Sequence, residues 1–194
     1  MKTRDLILQR TFALLLDKGY DGVSVSDIQQ ELEIARGLLY HYFSSKEELF
    51  AEVVRQKAFP LVAVDREKWK GCSIGEWIVE VIRHYEEVVA VLRQEGKVEM
   101  TWMNLYFLVY QSARYHVSLS RELREIHESW FAVWKSAVLN SFSRGELKSG
   151  LNLESLARHF TCLSQGFYWI REKEADGKYD LKKGLYDFYE IIKR

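Results

Sequence analysis

The sequence contains few cysteines, a single proline and no long apolar run, and these absences narrow the possible classes of protein. Cys72 and Cys162 are the only cysteines. Because they lie about ninety positions apart and lack metal-ligand spacing, we expect reduced, buried thiols and no disulfide framework. No run of eighteen apolar residues could span a membrane, and the N-terminus lacks the basic region, apolar run and cleavage site of a signal peptide. We therefore expect a soluble cytoplasmic protein without a membrane partner.

Catalytic and metal-binding patterns are also missing from the sequence. Its five histidines fall on separate predicted helices, and no Cys/His, Ser/His/Asp or HExxH arrangement connects them. An enzyme is the main alternative from another class of function, and these gaps argue against it. We accordingly expect no catalytic residue, no metal and no cofactor.

An excess of positive charge is lacking too. Lys and Arg number 28, as do Asp and Glu, so the formal net charge is zero. Nucleic-acid-binding domains usually carry a basic surface, yet the first fifty residues hold six Lys or Arg against eight Asp or Glu, a net charge of −2. Any contact of this segment with DNA must therefore depend on where individual side chains stand.

Apolar residues repeat at helical spacing along the whole chain, which favours an all-α protein of about nine helices. The first helix is predicted over residues 3–18. The second is predicted over residues 25–32, since Ser24 and Asp27 resemble a capping box. A turn of about three residues separates it from a third helix, predicted over residues 36–42.

The third predicted helix has one face that packing explains and one that it does not. Leu39 and Phe43 stand four apart and are expected to point inward. The residues that this orientation turns outward are Arg36, Gly37, Tyr40, His41 and Tyr42. Tyr hydroxyls and imidazole N–H groups suit phosphate oxygens, whereas the alternative is a surface aromatic cluster packed on a neighbouring helix.

The remainder of the chain reads as a larger set of helices. A fourth helix is predicted from residue 46 to about 69, kinked or split near Phe59 by Pro60, whose ring and missing N–H disturb a helix. Ser118 or Ser120 is the predicted cap of the seventh. The last five helices are predicted at about residues 74–93, 99–116, 121–144, 153–174 and 181–193.

Helices two and three with their short turn form a helix-turn-helix unit. Twelve residues in and just after this unit resemble, in order and spacing, the DNA-binding domain of the tetracycline-repressor (TetR) family of bacterial regulators. They are Val25, Ile28, Ile34, Gly37, Leu39, Tyr40, Tyr42, Phe43, Ser45, Lys46, Glu47 and Leu49. The close resemblance covers about residues 5–52. It implies a three-helix helix-turn-helix DNA-binding domain over residues 1–48 and a helical effector-binding and dimerisation domain over residues 49–194.

The resemblance also implies a function: a homodimer that binds a near-palindromic double-stranded DNA operator and releases it when a small-molecule effector binds. A dimeric DNA-binding regulator without an effector is the alternative. The positions that the resemblance implies in DNA binding are Ser24, Ser26, Gln29, Arg36, Gly37, Leu38, Tyr40, His41, Tyr42 and Lys46. Among these, Arg36 is the candidate for a bidentate contact to guanine, and Gly37 would let the backbone approach the DNA closely.

Two residues depart from the family pattern. Ala35 stands where a capping Ser is common, so the third helix begins with an uncapped N–H. Leu38 stands where a hydroxyl side chain is common, which exchanges a hydrogen bond for apolar contact with a thymine methyl group. The operator sequence therefore cannot be inferred from relatives.

Large aromatic residues are concentrated in helices five to eight, where they either fill a core or line an effector pocket. Buried Tyr and Trp need partners for their polar tips, and Met adds an adaptable lining. Such walls favour a flat, apolar, aromatic or cationic guest, with Glu99 or Glu128 as possible counter-charges. The predicted ligand-binding residues are Trp77, Trp102, Met103, Tyr106, Tyr110, Trp130, Trp134 and Phe167.

The last two helices are predicted to form a symmetric four-helix dimer contact. Ala157 and Ser164, beside Gly166, are small enough to let another helix approach closely. The alternative is that both helices are ordinary surface helices. The predicted interface residues are Ala157, Ser164, Gly166, Tyr168, Leu185 and Phe188.

Overall fold

Helices account for every regular element of the computed structural model, which describes residues 3–95, 102–170 and 181–194, without the side chains of residues 95 and 167–170. The helices are α1 (Thr3–Lys18), α2 (Val25–Leu32), α3 (Arg36–Tyr42), α4 (Lys46–Val53), α5 (Phe59–Val62), α6 (Ile74–Glu95), α7 (Trp102–Tyr115), α8 (Val117–Ser143), α9 (Leu153–Ile170) and α10 (Leu181–Ile192), with a π-helical turn (Val54–Ala58) joining α4 to α5. The predicted all-α class is confirmed. Within these ranges no helix is long and apolar enough to cross a membrane.

The first three helices begin and end where the sequence predicts. The capping box of α2 is present: the Asp27 N–H donates to Ser24 Oγ at 3.1 Å, and the Ser24 N–H donates to Asp27 Oδ2 at 2.7 Å. Gly19, with a φ of +67°, ends α1 in the left-handed region that favours glycine. Glu33 ends α2 with a φ of +53°, which the sequence did not indicate because Gly or Asn is usual there.

The helix after the helix-turn-helix is shorter than predicted. Pro60 lies in the first turn of α5, where its missing N–H is tolerated, and the π-helical turn immediately precedes that helix. The predicted interruption near Phe59 is therefore confirmed, but the predicted continuation to residue 69 is wrong. Asp65 Oδ1 accepts the backbone N–H groups of Glu67 and Lys68 at 3.0 and 3.2 Å, and such local side-chain bonds compete with helix formation.

Helix α8 begins earlier than the sequence predicts. The Ser120 N–H donates to the His116 carbonyl oxygen at 3.0 Å, so the helical hydrogen bonding of α8 begins at the residue that follows α7. Ser118 and Ser120 consequently lie inside α8, which begins at Val117, and neither caps it.

Packing divides the described residues into two compact units. Unit 1 contains the chain up to Ala63 together with Val88–Glu125, and unit 2 contains Val64–Glu87 together with Ile126–Arg194. Helices α6 and α8 each contribute to both. Separate domains over residues 1–48 and 49–194 remain a prediction.

Unit 2 is built around buried aromatic and branched side chains, among them Trp77, Trp134 and Phe160. Its chain terminus is fastened by a short antiparallel bridge, in which the Lys148 N–H donates to the Ile192 carbonyl oxygen and the Arg194 N–H donates to the Glu146 carbonyl oxygen, at 3.0 and 2.9 Å. The end of α10 is thereby attached to the turn between α8 and α9.

Candidate nucleic-acid interface

The rotation of α3 about its axis is set by its buried side. Leu39 and Phe43 are 3% and 2% exposed, and Ile28 of α2 is likewise buried. The predicted inward face of α3 is therefore confirmed. Because Leu39 and Phe43 occupy the inward side, the other residues of α3 are left for the remaining surface of the helix.

The outward side of α3 carries most of the residues predicted to contact DNA. Arg36, Gly37, Leu38, Tyr40 and His41 are exposed on it, and the Tyr42 side chain is half-buried. On α2 and its cap, Ser24 and Ser26 are exposed and Gln29 is half-buried. The structure thus brings the α3 residues together on one surface, apart from the core of unit 1.

The N-terminus of α3 is uncapped, as predicted. Ala35 has an extended backbone (φ −70°, ψ 146°) and makes no side-chain capping bond. One residue into the helix, a Cβ placed on Gly37 would meet no atom within 4 Å. The fold of the chain therefore does not require glycine at position 37.

Aromatic rings accompany the polar groups of α3. The Arg36 guanidinium lies 5.5 Å from the centroid of the Tyr40 ring, within the range of a cation–π contact. The His41 and Tyr42 rings meet edge to face at 5.1 Å. These contacts restrict the side chains of an exposed helix that would otherwise sample many rotamers.

Lys46 has an internal partner that the sequence did not indicate. Its Nζ donates to the Tyr20 carbonyl oxygen at 2.8 Å and lies 4.1 Å from the centroid of the Tyr20 ring. The Tyr20 hydroxyl in turn donates to Glu47 at 3.2 Å. Burial, followed by the nearby Glu47 carboxylate, raises the pKa of Tyr20 to about 12. Lys46 is therefore fixed in position by the chain, with ammonium N–H groups left over for a phosphate.

Carboxylates occupy the N-terminus of α4. The Glu48 N–H donates to Ser45 Oγ at 3.1 Å, and the Glu48 carboxylate accepts the Ser44 N–H at 2.6 Å. Hydrogen bonds from the Ser44 side chain and backbone lower the pKa of Glu48. The helix dipole is thus matched by an acidic side chain of its own first turn.

Helix α7 contacts the turn between α1 and α2 within unit 1. The Tyr20 N–H donates to Gln111 Oε1 at 2.8 Å, and the Tyr115 hydroxyl donates to Asp21 at 2.8 Å. A Cβ on Gly19 would lie only 3.1 Å from the Phe107 ring, so the backbone of that turn and α7 approach closely. These partners are about ninety residues apart in sequence, and no local pattern predicts them.

A second set of long-range contacts fixes the π-helical turn. Arg55 Nε donates to the Glu122 carboxylate at 2.9 Å, and its terminal Nη2 donates to Ser118 Oγ at 2.8 Å. One turn earlier, Glu52 accepts a hydrogen bond from Arg4 of α1 at 2.7 Å. Helices α1, α4 and α8 are thereby connected around Arg55.

The predicted ligand-binding residues do not fall in one unit. Trp77, Trp130 and Trp134 belong to unit 2. Trp102, Met103, Tyr106 and Tyr110 belong to unit 1. The Phe167 side chain lies outside the described residues. Helical spacing carries no information about which compact unit a residue joins, so the sequence predicts these eight residues as one set.

The tryptophans of unit 2 are in direct contact with one another. The centroids of the Trp77 and Trp130 rings are 5.6 Å apart, and the Trp134 ring stacks on Phe160 at 4.7 Å with an interplanar angle of 11°. Trp134 Nε1 donates to Ser164 Oγ at 3.2 Å. At these separations the rings fill the space between them, which matches the core interpretation that the sequence left open.

In unit 1 the predicted ligand-binding residues of α7 form a row at four-residue spacing. Trp102 is buried, Tyr106 is half-buried, and Tyr110 is 46% exposed. Successive ring centroids are 5.7 and 6.0 Å apart. Burial raises the pKa of Tyr106 well above its usual range. This row therefore runs from the core of unit 1 to its surface.

The residues predicted for the dimer contact are only partly on the surface. Ala157, Ser164 and Leu185 are buried by their own chain, while Gly166 and Phe188 are half-buried and the Tyr168 side chain lies outside the described residues. Ala157 and Leu185 pack in the core of unit 2, and Ser164 accepts the Trp134 indole N–H. The dimer contact itself stays a prediction. Elsewhere on α10, Ile191 is 67% exposed.

Both cysteines are free, but only Cys72 is buried. Burial raises the pKa of the Cys72 thiol to about 11, which makes it a poor nucleophile. Cys162 is exposed on α9, so the expectation of two buried thiols is wrong for that residue. Across the described side chains, no group of three or more His, Cys, Asp or Glu could hold a metal ion.

Comparison with known proteins identifies the N-terminal segment. Residues 7–53 match the family model described as "Bacterial regulatory proteins, tetR family". This range begins in α1 and ends at the last residue of α4, so it contains the whole helix-turn-helix.

Two curated relatives share this segment. The transcriptional repressor KstR2 of Mycolicibacterium smegmatis is 30% identical over 104 residues, which cover 48% of this chain and 50% of the relative. IcaR of Staphylococcus epidermidis, a negative transcriptional regulator of the biofilm operon icaADBC, is 33% identical over 51 residues, or 26% of this chain and 28% of the relative. The chain spans half or less of the length of these relatives.

Solved structures extend the similarity to the whole fold. A transcriptional regulator from Saccharomonospora viridis in complex with choline has a TM-score of 0.75 at 17% identity, covering 98% of this chain and 97% of that one. NalD of Pseudomonas aeruginosa, the secondary repressor of the MexAB-OprM efflux pump, has a TM-score of 0.67 at 19% identity, covering 99% and 97%. The segment over residues 7–53 therefore has the helix-turn-helix of the tetR family of bacterial regulatory proteins, and the chain shares its fold with these solved structures.

Proposed function

We propose that this protein is a transcriptional repressor that binds a DNA operator through the outward side of α3. The proposal rests on the rotation of α3 about its own axis, which decides which side chains are exposed. Leu39 and Phe43 are buried, so Arg36, Tyr40 and His41 are left together on one open surface. Both curated relatives described above are named as a repressor or a negative regulator, and neither name denotes an enzyme.

The residues of this surface have different proposed roles. Arg36 reads a guanine edge in the major groove, and Leu38, 37% exposed, contacts a thymine methyl group. Tyr40, His41, Tyr42 and Lys46 hold backbone phosphates. Ser24, Ser26 and Gln29 face the groove from α2. Phosphate contacts fix the position of α3 on the duplex, and base contacts supply the sequence preference.

A homodimer would present two copies of α3 to successive major grooves. Half-sites of such regulators lie one helical turn apart or a multiple of it, about 34–36 Å per turn. We assign the dimer contact to α9 and α10, as the sequence predicts. Because Ala157 and Leu185 already pack within unit 2, the contact would use the side of α10 that bears Phe188 and Ile191, three residues apart.

The DNA-binding proposal is tested by selecting duplexes from fragmented genomic DNA and measuring their retardation by the purified chain. We expect one enriched near-palindromic site that binds two chains. If the dimer neutralises about six phosphates, affinity falls by about 10³ between 50 and 200 mM salt. A scrambled duplex of equal length is the control for non-specific binding. Absence of retardation on every fragment at low salt would contradict the proposal.

We further propose that a small, apolar, aromatic or cationic effector releases the DNA. The solved structure in complex with choline shows that one similar fold accepts a small organic cation. In the present chain, the row formed by Trp102, Tyr106 and Tyr110 offers rings of the kind that bind such guests. The alternative is a dimeric regulator that responds to no small molecule.

A thermal-shift screen separates the two alternatives. A compound that binds only the folded chain raises the free energy of unfolding by about 2.7 kcal/mol at a hundred times its dissociation constant. We expect at least one lipophilic or quaternary-ammonium compound to raise the melting temperature and, at the same concentration, to release the selected operator. Stabilisation without release, or no stabilisation by any compound, would favour the effector-free alternative.

A further inference from the structure

Arg36 and Tyr40 form a pair on the exposed side of α3. The guanidinium carbon of Arg36 lies 5.5 Å from the centroid of the Tyr40 ring, inside the distance of about 6 Å at which a cation–π contact is effective. The two residues are four apart, so they lie one above the other on the same side of the helix. Tyr40 is 40% exposed, and the pair therefore stands on the proposed DNA-binding surface itself.

Among the residues that the structure describes, no carboxylate neutralises Arg36. Elsewhere in unit 1, Arg4 pairs with Glu52 at 2.7 Å, which fixes its direction and cancels its charge. Throughout the described part of the chain, by contrast, no carboxylate oxygen forms an ion pair with the Arg36 guanidinium, and the contact that orients it is the Tyr40 ring. Its full positive charge and its hydrogen-bond donors therefore remain available to DNA.

We propose that Tyr40 is a positioning residue for base readout by Arg36, an inference that rests on the proposed DNA-binding function. A free arginine on an exposed helix samples many rotamers, and a bidentate contact with guanine selects one plane and one direction. By holding the guanidinium in a cation–π contact, the ring reduces the number of side-chain orientations that Arg36 loses on binding DNA. This role belongs to the ring and is separate from any phosphate contact of the hydroxyl.

Two substitutions at position 40 separate the ring from the hydroxyl. Tyr40→Phe keeps the ring, and Tyr40→Leu removes it while retaining a good helix former. Base preference of the full chain is measured by selection from a duplex library randomised around the selected site. We expect Tyr40→Phe to keep the wild-type preference at the base pair where Arg36→Ala loses it. Tyr40→Leu should weaken that preference about two- to fivefold, the range of an exposed cation–π contact.

Tyr42→Leu is the matched control. It makes the same chemical change two residues away, on a ring whose neighbour is His41. A lost phosphate contact should weaken binding to all sequences about equally, so this variant should leave the preference at the Arg36 base pair unchanged. When Arg36→Ala is combined with Tyr40→Leu, we expect the preference of the Arg36→Ala single variant, because the ring acts only through the guanidinium.

The outcomes separate this inference from the function on which it rests. If the wild-type chain enriches no sequence, the DNA-binding function is wrong, and the role of Tyr40 is wrong with it. If the wild-type chain enriches a site and Tyr40→Leu retains the full preference at the Arg36 base pair, only the role of Tyr40 is overturned. The same holds if Tyr40→Phe loses that preference as completely as Tyr40→Leu, since the hydroxyl would then be the group that acts.

Discussion

Replacement of Trp134 by alanine is expected to lower the free energy of unfolding by about 3–5 kcal/mol, the range for large aromatic residues removed from a core. Trp134 has no exposed surface, stacks on Phe160 at 4.7 Å and meets the Trp77 ring edge to face at 6.1 Å. Removal of the indole would leave a cavity among groups that cannot all close around it. The measurement is urea unfolding followed by far-ultraviolet circular dichroism.

Two variants calibrate that result. Phe142→Ala removes an aromatic ring from the same helix at a position that is 45% exposed, and we expect a change of less than about 1 kcal/mol. Ser164→Ala removes the acceptor of the Trp134 indole N–H and the hydroxyl that donates to the Thr161 carbonyl oxygen. We expect a cost of about 1–3 kcal/mol for the buried indole donor left unpaired. A loss below 1 kcal/mol for Trp134→Ala would contradict the assignment of these rings to a packed core.

Sequence reasoning succeeded where the determining interactions are local. Ser24 and Asp27 of the capping box stand three positions apart, and the buried pair Leu39 and Phe43 stands four apart. Helical geometry alone connects residues at these spacings. The limits of α2 and α3, and the outward direction of Arg36, could therefore be predicted without knowledge of the rest of the chain.

Prediction from the sequence failed where distant contacts or competing local hydrogen bonds determine the conformation of a segment. The Tyr20 carbonyl oxygen holds Lys46 from 26 residues away, and the Tyr20 N–H bonds to Gln111, 91 residues away. Nothing in the sequence around Lys46 or Gln111 indicates that either residue bonds to Tyr20. In residues 63–73 the Asp65 side chain bonds to backbone N–H groups that a helix would otherwise use, and a propensity-based pattern does not reveal which alternative is more stable.

The aromatic residues show a third kind of limit. Helical spacing correctly places Trp130 and Trp134 on one side of α8, since both are buried in unit 2. Spacing cannot say whether rings on neighbouring helices touch or leave a cavity between them, because that depends on differences of a few ångströms in helix position. Spacing also does not predict that Trp77 and Trp102 belong to different units.

Gly37→Ala is expected to change stability and DNA binding in opposite directions. The position has open space for a methyl group, and Gly37 is not among the glycines with a positive φ. Alanine should therefore stabilise the chain by about 0.4–1 kcal/mol by restricting the unfolded state. If the backbone of α3 approaches the base pairs as closely as we propose, the same methyl group collides with DNA. Overpacking of this kind typically costs about 1–3 kcal/mol, and the operator affinity should fall accordingly.

Gly71→Ala is the matched control for this prediction. It adds the same methyl group at another position with no neighbouring atom within 4 Å and no positive φ, in unit 2 and outside α3. Operator affinity of this variant should equal that of the wild-type chain. Unfolding curves and binding isotherms of both variants then show whether glycine at position 37 serves the fold or the contact with DNA. Wild-type affinity in Gly37→Ala would show that the α3 backbone does not approach the DNA at this residue. A lower free energy of unfolding for Gly37→Ala would instead show that the fold requires glycine at this position. Only a gain in stability combined with a loss of operator affinity assigns Gly37 to the DNA contact.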